Sequence, residues 1–251
     1  MEFLIFILGL FVGSFLNSFI WRFRMNILET IWTERSMCPS CGHVLEAHDL
    51  IPVFSYVVLG GKCRYCQTHI SPQYPFVELL FGLLTLFLYV LLGFNIYFLF
   101  AIAIAFIMVA LLVIDVKDGV LPNRLVLALL LTILLQMIIL ALPATSWYNA
   151  VIGGVTGFVF FMALWLVTLG KGVGVGDIKL AFALGLLTGS PGIFYVIFIG
   201  FFIGAGYVIP LVLMGRKGWQ STIAFGPFLI IAYYVVLFYY DQIDALINIY
   251  L

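Results

Sequence analysis

Apolar residues fill this chain in long unbroken runs, separated by short polar stretches. A bilayer crossing takes about 20 residues, and shorter runs are accommodated by tilt or local thinning. On that scale the pattern predicts eight transmembrane helices, near 3–21, 75–92, 95–114, 121–142, 148–169, 177–189, 192–214 and 223–243. The sixth is short. One stretch, 22–74, is polar enough to be a small soluble module, so the expected organisation is a first helix (1–21), an insert (22–74) and a helical domain (75–251). Small-residue spacing at Gly153, Gly154 and Gly157, and at Gly200 and Gly204, predicts close helix contacts.

Composition agrees with an all-α polytopic membrane protein. The 251 residues are 65% hydrophobic and 9% charged, with a mean hydropathy of +1.24, far from the mix of a soluble domain. Eleven basic residues balance eleven acidic ones, so no excess positive field exists to bind nucleic acid. Their placement is more informative. With the N-terminus outside, Arg22, Arg24, Arg35, Lys62, Arg64, Lys117, Arg124, Lys171, Lys179, Arg216 and Lys217 all fall on one side, leaving Glu2, Asp241 and Asp244 on the other. The positive-inside rule makes the basic side, with the insert, cytoplasmic. Merging the sixth and seventh spans would break this asymmetry. The first run starts Met1-Glu2-Phe3 without a basic segment and shows no small-residue cleavage site, which reads as a retained anchor.

The insert carries all four cysteines, as Cys38-Pro-Ser-Cys41 and Cys63-Arg-Tyr-Cys66, with 21 residues between the pairs. Two such knuckles match a zinc ribbon, in which four thiolates surround one structural zinc that supplies the stability a short segment cannot draw from a core. Disulfide or redox pairs are the alternative, but a cytosolic setting keeps thiols reduced and no βαβ pattern accompanies either pair. His43, His48 and His69 read as surface or supporting residues, since four cysteines complete the tetrahedron. Gly60-Gly61 predicts a tight turn, and Ile51 to Leu59 a short apolar helix or strand on the ribbon or the membrane surface.

Two carboxylates stand where apolar runs meet polar loops: Asp115, in Ile114-Asp115-Val-Lys-Asp118-Gly-Val-Leu-Pro122-Asn123, and Asp177, in Gly174-Val-Gly176-Asp177-Ile-Lys179. An ionisable group at membrane depth costs about 3 kcal/mol unless paired, so both are functional candidates. Both belong to the predicted cytoplasmic edge. From residues alone, two plainer roles stay open: Asp177 as a helix cap, and Asp115 as the ion-pair partner of Lys117 or Lys179.

The order of motifs resembles the bifunctional type IV prepilin peptidases, which are also N-methyltransferases. The resemblance runs through Gly13-Ser14-Phe15-Leu16-Asn17-Ser18 to Arg22, Cys38-Pro-x-Cys41, Asp49-Leu-Ile-Pro52, Gly61-x-Cys63-Arg64-x-Cys66, Tyr74-Pro75-x-x-Glu78, Ile114-Asp115 with Leu121-Pro122-Asn123, and Gly174-x-Gly176-Asp177-x-Lys179-Leu180. It implies a membrane-embedded aspartyl endopeptidase of the bacterial inner membrane. Such an enzyme cuts the leader from type IV prepilin or pseudopilin precursors after a glycine, on the cytoplasmic side. It then methylates the new N-terminal residue, usually phenylalanine, using S-adenosylmethionine. Asp115 and Asp177 would be the catalytic pair, with Asp118 in a loop or supporting role, while the insert would be associated with methyl transfer and Asn17, Arg22 and Glu78 would bind cofactor or substrate. No glycine-rich loop after a strand marks a soluble dinucleotide-type fold for that cofactor. Two rivals remain in view. A presenilin-like intramembrane protease shares Gly-x-Gly-Asp but not the cysteine insert or Leu-Pro-Asn, and a cation- or proton-coupled transporter could use both carboxylates with the ribbon as a docking module.

Overall fold

The computed structural model describes residues 1–31, 33–141, 143–170, 172–215 and 224–250, with side chains as far as residue 243. Of the predicted basic set, Lys171, Arg216 and Lys217 lie outside the described residues, as do the span-end residues Leu142 and Ile223 and the side chain of Asp244. The described chain is helical: α1 (Glu2–Arg24), a short α2 (Phe54–Val58), α3 (Gln73–Leu92), α4 (Ile96–Asp118), α5 (Asn123–Ile139), α6 (Ala144–Val167), α7 (Val175–Leu213) and α8 (Gly226–Tyr250). Two 3-10 turns, Leu28–Ile31 and Ala47–Leu50, lie in the insert. Among the described residues, β structure is confined to two isolated bridges, Met37 with Val44 and Lys62 with His69.

Among the described residues six helices are long and apolar enough to cross a membrane, and α5 is a shorter apolar helix of 17 residues. The eighth crossing is inside α7. Its 39 residues divide at Gly189 (φ 63°) and Ser190, which leave helical geometry just before Pro191. This break falls between the predicted sixth and seventh spans. Proline removes a helical donor and glycine tolerates the positive φ, so the break is written locally. The freed Ser190 N–H donates to Asn149 Oδ1 at 3.1 Å.

The molecule divides into two compact units, Met1–Ala110 and Leu111–Leu251, with the boundary inside α4. In the first, α1 packs on α3 at glycine positions: a Cβ on Gly9 would lie 2.9 Å from Gly82 Cα, and one on Gly13 2.9 Å from Glu78 Cα. Leu16, Ile20, Phe81 and Leu88 are enclosed around that seam. In the second unit α7 packs on α5, α6 and α8. There a Cβ on Gly185 would run into Gly153 O and one on Gly157 would meet Ala181 O at 2.6 Å. Small residues let helices approach closely where lipid provides no hydrophobic drive between them. At Gly200 and Gly204 the residues met across the seam are Leu229 and Phe228 of α8.

Candidate active site

Asp115 lies in the last turn of α4. The helix ends because Gly119, at φ 66°, folds its N–H back onto Asp115 O at 2.9 Å, a glycine helix stop. Asp118 is therefore the last helical residue rather than a loop residue. Asp177 lies in the first turn of α7, where its Oδ2 accepts the N–H of Gly174, the N-cap residue, at 3.0 Å. Both carboxylates are buried, Asp115 being 4% and Asp177 7% exposed. They are close enough to repel each other, and the backbone N–H of Gly226, which opens α8, is directed at both.

The two environments differ. Asp177 stands at a helix N-terminus, where unpaired N–H groups favour negative charge, whereas Asp115 stands at a helix C-terminus, where they do not. Asp115 Oδ2 is also buried without a hydrogen-bond partner. Around them the backbone is pressed close. A Cβ on Gly176 would lie 2.8 Å from Leu121 Cβ, and a Cβ on Gly226 would lie 2.6 Å from Asp115 Oδ2 and 3.2 Å from Leu121 Cδ1. Leu121 thus closes one side of the pair. Beside it, Lys179 Nζ donates to Asn123 Oδ1 at 2.8 Å, tying the start of α5 to α7. Lys179 is thereby engaged with an amide rather than with Asp115.

Gly226 is the residue that sequence reasoning missed. Its signal was Phe225-Gly226-Pro227 at the head of the last apolar run, where a glycine before a proline marks a backbone of special geometry. Nothing in that run announced contact with residues 49 and 111 positions earlier.

In the first unit the four cysteine sulfurs lie within 4.8 Å of one another. A tetrahedron of thiolates about 2.3 Å from zinc has edges of about 3.8 Å, and Cys38 and Cys66 Sγ are 3.9 Å apart. The donor set and its spacing fit one zinc ion. Each knuckle is built by the same two bonds. Cys38 N–H donates to His43 O and Gly42 N–H to Cys38 O, while Cys63 N–H donates to Thr68 O and Gln67 N–H to Cys63 O, all at 2.9 Å. Gly42 and Gln67 hold the matching positive φ, 70° and 59°. Asp49 holds the second knuckle, accepting from Arg64 Nε at 2.9 Å and from Tyr65 Oη at 3.0 Å. Burial raises the Asp49 pKa, but Arg64, the Glu46 N–H, Tyr65 and His48 outweigh it and hold the carboxyl below its ordinary value. Of the histidines, His43 stacks on Tyr65, His48 lies by Glu46 and Asp49, and His69 pairs with Lys62 across a bridge. All three lie outside the sulfur cluster.

Where the insert joins α1 and α3, Asn17, Arg22 and Glu78 are each more than nine-tenths buried. Asn17 Nδ2 donates to Tyr74 O at 3.0 Å. Glu78 Oε2 accepts Val53 N–H at 2.7 Å, and Ser14 bonds the same carboxylate. Arg22 bonds Ser18 Oγ through Nη1 and Glu34 O, at 2.9 Å, through Nη2.

Comparison with known proteins accounts for nearly the whole length. Residues 7–92 match the bacterial peptidase A24 N-terminal domain and residues 102–209 match the type IV leader peptidase family. A prepilin leader peptidase/N-methyltransferase of Aeromonas hydrophila is 34% identical over 96% of this chain and 91% of its own. The chain belongs to the type IV leader peptidase family. Proteins of the same description from Burkholderia pseudomallei and Bacillus subtilis are 34% and 31% identical, each over 89% of this chain and over 80% and 88% of their own. No solved structure matches. The N-terminal family match spans the cysteines, Asn17, Arg22 and Glu78, and the second spans Asp115 and Asp177. Gly226 lies beyond both.

Proposed function

We propose that this multi-pass membrane protein cleaves the leader of type IV prepilin or pseudopilin precursors and methylates the amine so exposed, with Asp115 and Asp177 as the catalytic pair. The observation that carries the reading is the meeting of two buried carboxylates, 62 positions apart, at one backbone N–H. Burial and mutual repulsion disfavour ionising both carboxylates, so the pair shares a proton, and its titration belongs to both. Asp177, stabilised as an anion by Gly174 and the α7 N-terminus, is the base that takes a proton from the attacking water. Asp115 carries the shared proton on its unpartnered oxygen and gives it to the scissile carbonyl. Each carboxylate is set by a helix end, where an apolar substrate helix stays in lipid while a basic leader stays in water.

The N-terminus is placed outside and the insert in the cytoplasm, by the asymmetry of basic residues. The segment 22–74 is a zinc-bearing module associated with methyl transfer, between a first helix (1–21) and a peptidase domain (75–251). Cys38, Cys41, Cys63 and Cys66 would hold one zinc, whose role is to fold the segment. S-adenosylmethionine, when bound, supplies an electrophilic methyl group. Asn17, Arg22 and Glu78, three buried polar residues of which Asn17 Oδ1 and Arg22 Nε have no hydrogen-bond partner, form the binding set for cofactor or substrate. The relatives reported above are described as prepilin leader peptidase/N-methyltransferases, which favours this reading over a transporter.

A precursor carrying a basic leader, Gly-Phe and an apolar helix tests the assignment. Full cleavage by Asp115→Asn and Asp177→Asn would refute the pair; loss of cleavage by about a thousandfold or more in each is expected, as for other residues acting as a unit. Purified protein with S-adenosylmethionine and cleaved peptide should add one methyl by mass, and an unchanged mass with active cleavage would remove the methyltransferase half.

A further inference from the structure

We propose that the buried oxygens of Asn17 and Glu78 form a receptor for a primary ammonium group, and that its natural occupant is the free N-terminal amine of the cleaved substrate. This rests on the methyl-transfer reading above and gives it a site.

The two residues are neighbours across the α1/α3 seam. Ser14 and Asn17 lie one turn apart on α1, Tyr74 and Glu78 one turn apart on α3. Contacts join Asn17 to Tyr74 O and Ser14 to Glu78. Tyr74 O can only accept, so the Asn17 amide presents its NH2 to Tyr74 O and its own oxygen is free of that contact. That oxygen is buried without a partner, in a residue only 3% exposed. Glu78 is 7% exposed and accepts from Val53 N–H and Ser14. Among the described residues, its bonds are to those neutral groups, and no cationic side chain is paired with it. A buried carboxylate at membrane depth without a cation, beside an amide oxygen without a donor, is a site short of positive charge and of N–H groups at once.

The chemistry narrows the occupant. Glu78 repels an anion, and a quaternary ammonium carries no N–H for Asn17. A calcium or magnesium ion takes six or more oxygens, or near-octahedral geometry with retained waters, for which one carboxylate and one amide are a poor cage. A primary ammonium offers three donors and one charge. The cover over Glu78 is slight. Val53 holds φ 62°, closed by a bond from Phe54 N–H to Pro52 O at 2.6 Å, and the following Phe54, Val57 and Val58 are 62–68% exposed. Displacing the Val53 N–H from Glu78 uncovers the carboxylate. Passing one proton from the bound ammonium to Glu78 leaves nitrogen its lone pair. That pair forms the new N–C bond as the sulfonium C–S bond breaks and its electrons stay on sulfur.

The test is binding of a fluorescent peptide, phenylalanine followed by an apolar helix, to the full chain in nanodiscs of phosphatidylcholine and phosphatidylglycerol. Wild type should bind the free-amine peptide about tenfold or more tighter than its N-acetyl form, the scale of a charge-assisted hydrogen bond. Glu78→Gln and Asn17→Leu should each lose most of that ratio, and Asn17→Asp, which keeps the acceptor and adds charge, should keep or raise it. Equal binding of both peptides by wild type, or an unchanged ratio in Glu78→Gln, overturns the proposal. Loss of the ratio on adding phosphatidylethanolamine, or on saturating with S-adenosylmethionine, gives the receptor to lipid or cofactor and overturns the peptide assignment. Methylation is measured separately by mass, so failure of methyl transfer and failure of the receptor are read apart.

Discussion

Asp177 does two jobs with one carboxylate: Oδ2 holds the Gly174 N–H while the group also faces Asp115. The anticipated N-cap is Gly174 instead, and Asp177, two residues into the helix, bonds back to it while facing Asp115. Asparagine keeps an acceptor oxygen and alanine does not, so Asp177→Asn should leave the melting temperature near wild type, while Asp177→Ala should lower stability by about 1 kcal/mol; thermal unfolding in detergent reads the difference. Gly226 is more exacting. A methyl group there would lie 2.6 Å from Asp115 Oδ2, closer than real Cβ contacts. Gly226→Ala should reduce cleavage about a hundredfold or more by displacing a carboxylate from its partner, measured on the precursor peptide. In the insert, Asp49 has a depressed pKa, so its contribution to stability is complete above the unfolded value of about 3.9 and is lost as pH falls through the lower folded value. The stability gap between wild type and Asp49→Asn should be constant from pH 5 to 7 and close below about pH 4, as followed by thermal melts across pH.

At the scale of elements, helix ends and glycine seams decide the geometry. Gly119 stops α4 just past Asp115, and Gly174 starts α7 just before Asp177. Within the second unit, α6 and α7 meet backbone to backbone at Gly153 and Gly185, so Gly153→Leu should block assembly. The expected readout is loss of folded protein in detergent extracts, with Gly206→Leu, whose site faces open space, as the tolerated control. The break in α7 is held from outside by Asn149. Asn149→Leu removes the acceptor of the Ser190 N–H and should destabilise by about 0.5 to 1.5 kcal/mol, as read by thermal unfolding in detergent. The paired small residues at 153 and 157 were readable as a packing face, since glycine spacing has few other uses in an apolar run. Their partners on α7, and the Gly9 and Gly82 seam, were not, because a small residue does not say which helix it meets.

Over the whole molecule, a cluster of four cysteines sits in the insert and apolar helices make up most of the rest. Metal analysis should find about one zinc per chain, lost in the Cys38→Ser, Cys41→Ser double variant; retained zinc in that variant would refute the four-sulfur site. Charge and hydropathy along the chain determined the membrane class, the span count, the insert and its cysteine pairs, since burial in lipid and ligation by C-x-x-C are demands on local sequence. Two expensive carboxylates could also be found by inspection. Packing alone decided that they meet, that Gly226 lies against them, that Asp115 keeps an empty oxygen, and that Asn17 and Glu78 lie buried on one helix seam, Glu78 with no cation paired to it among the described residues. Those facts depend on which helix faces which and at what rotation, and a run of leucines and phalanx of aromatic residues satisfies lipid equally well at any rotation, so only the assembled helices fix them.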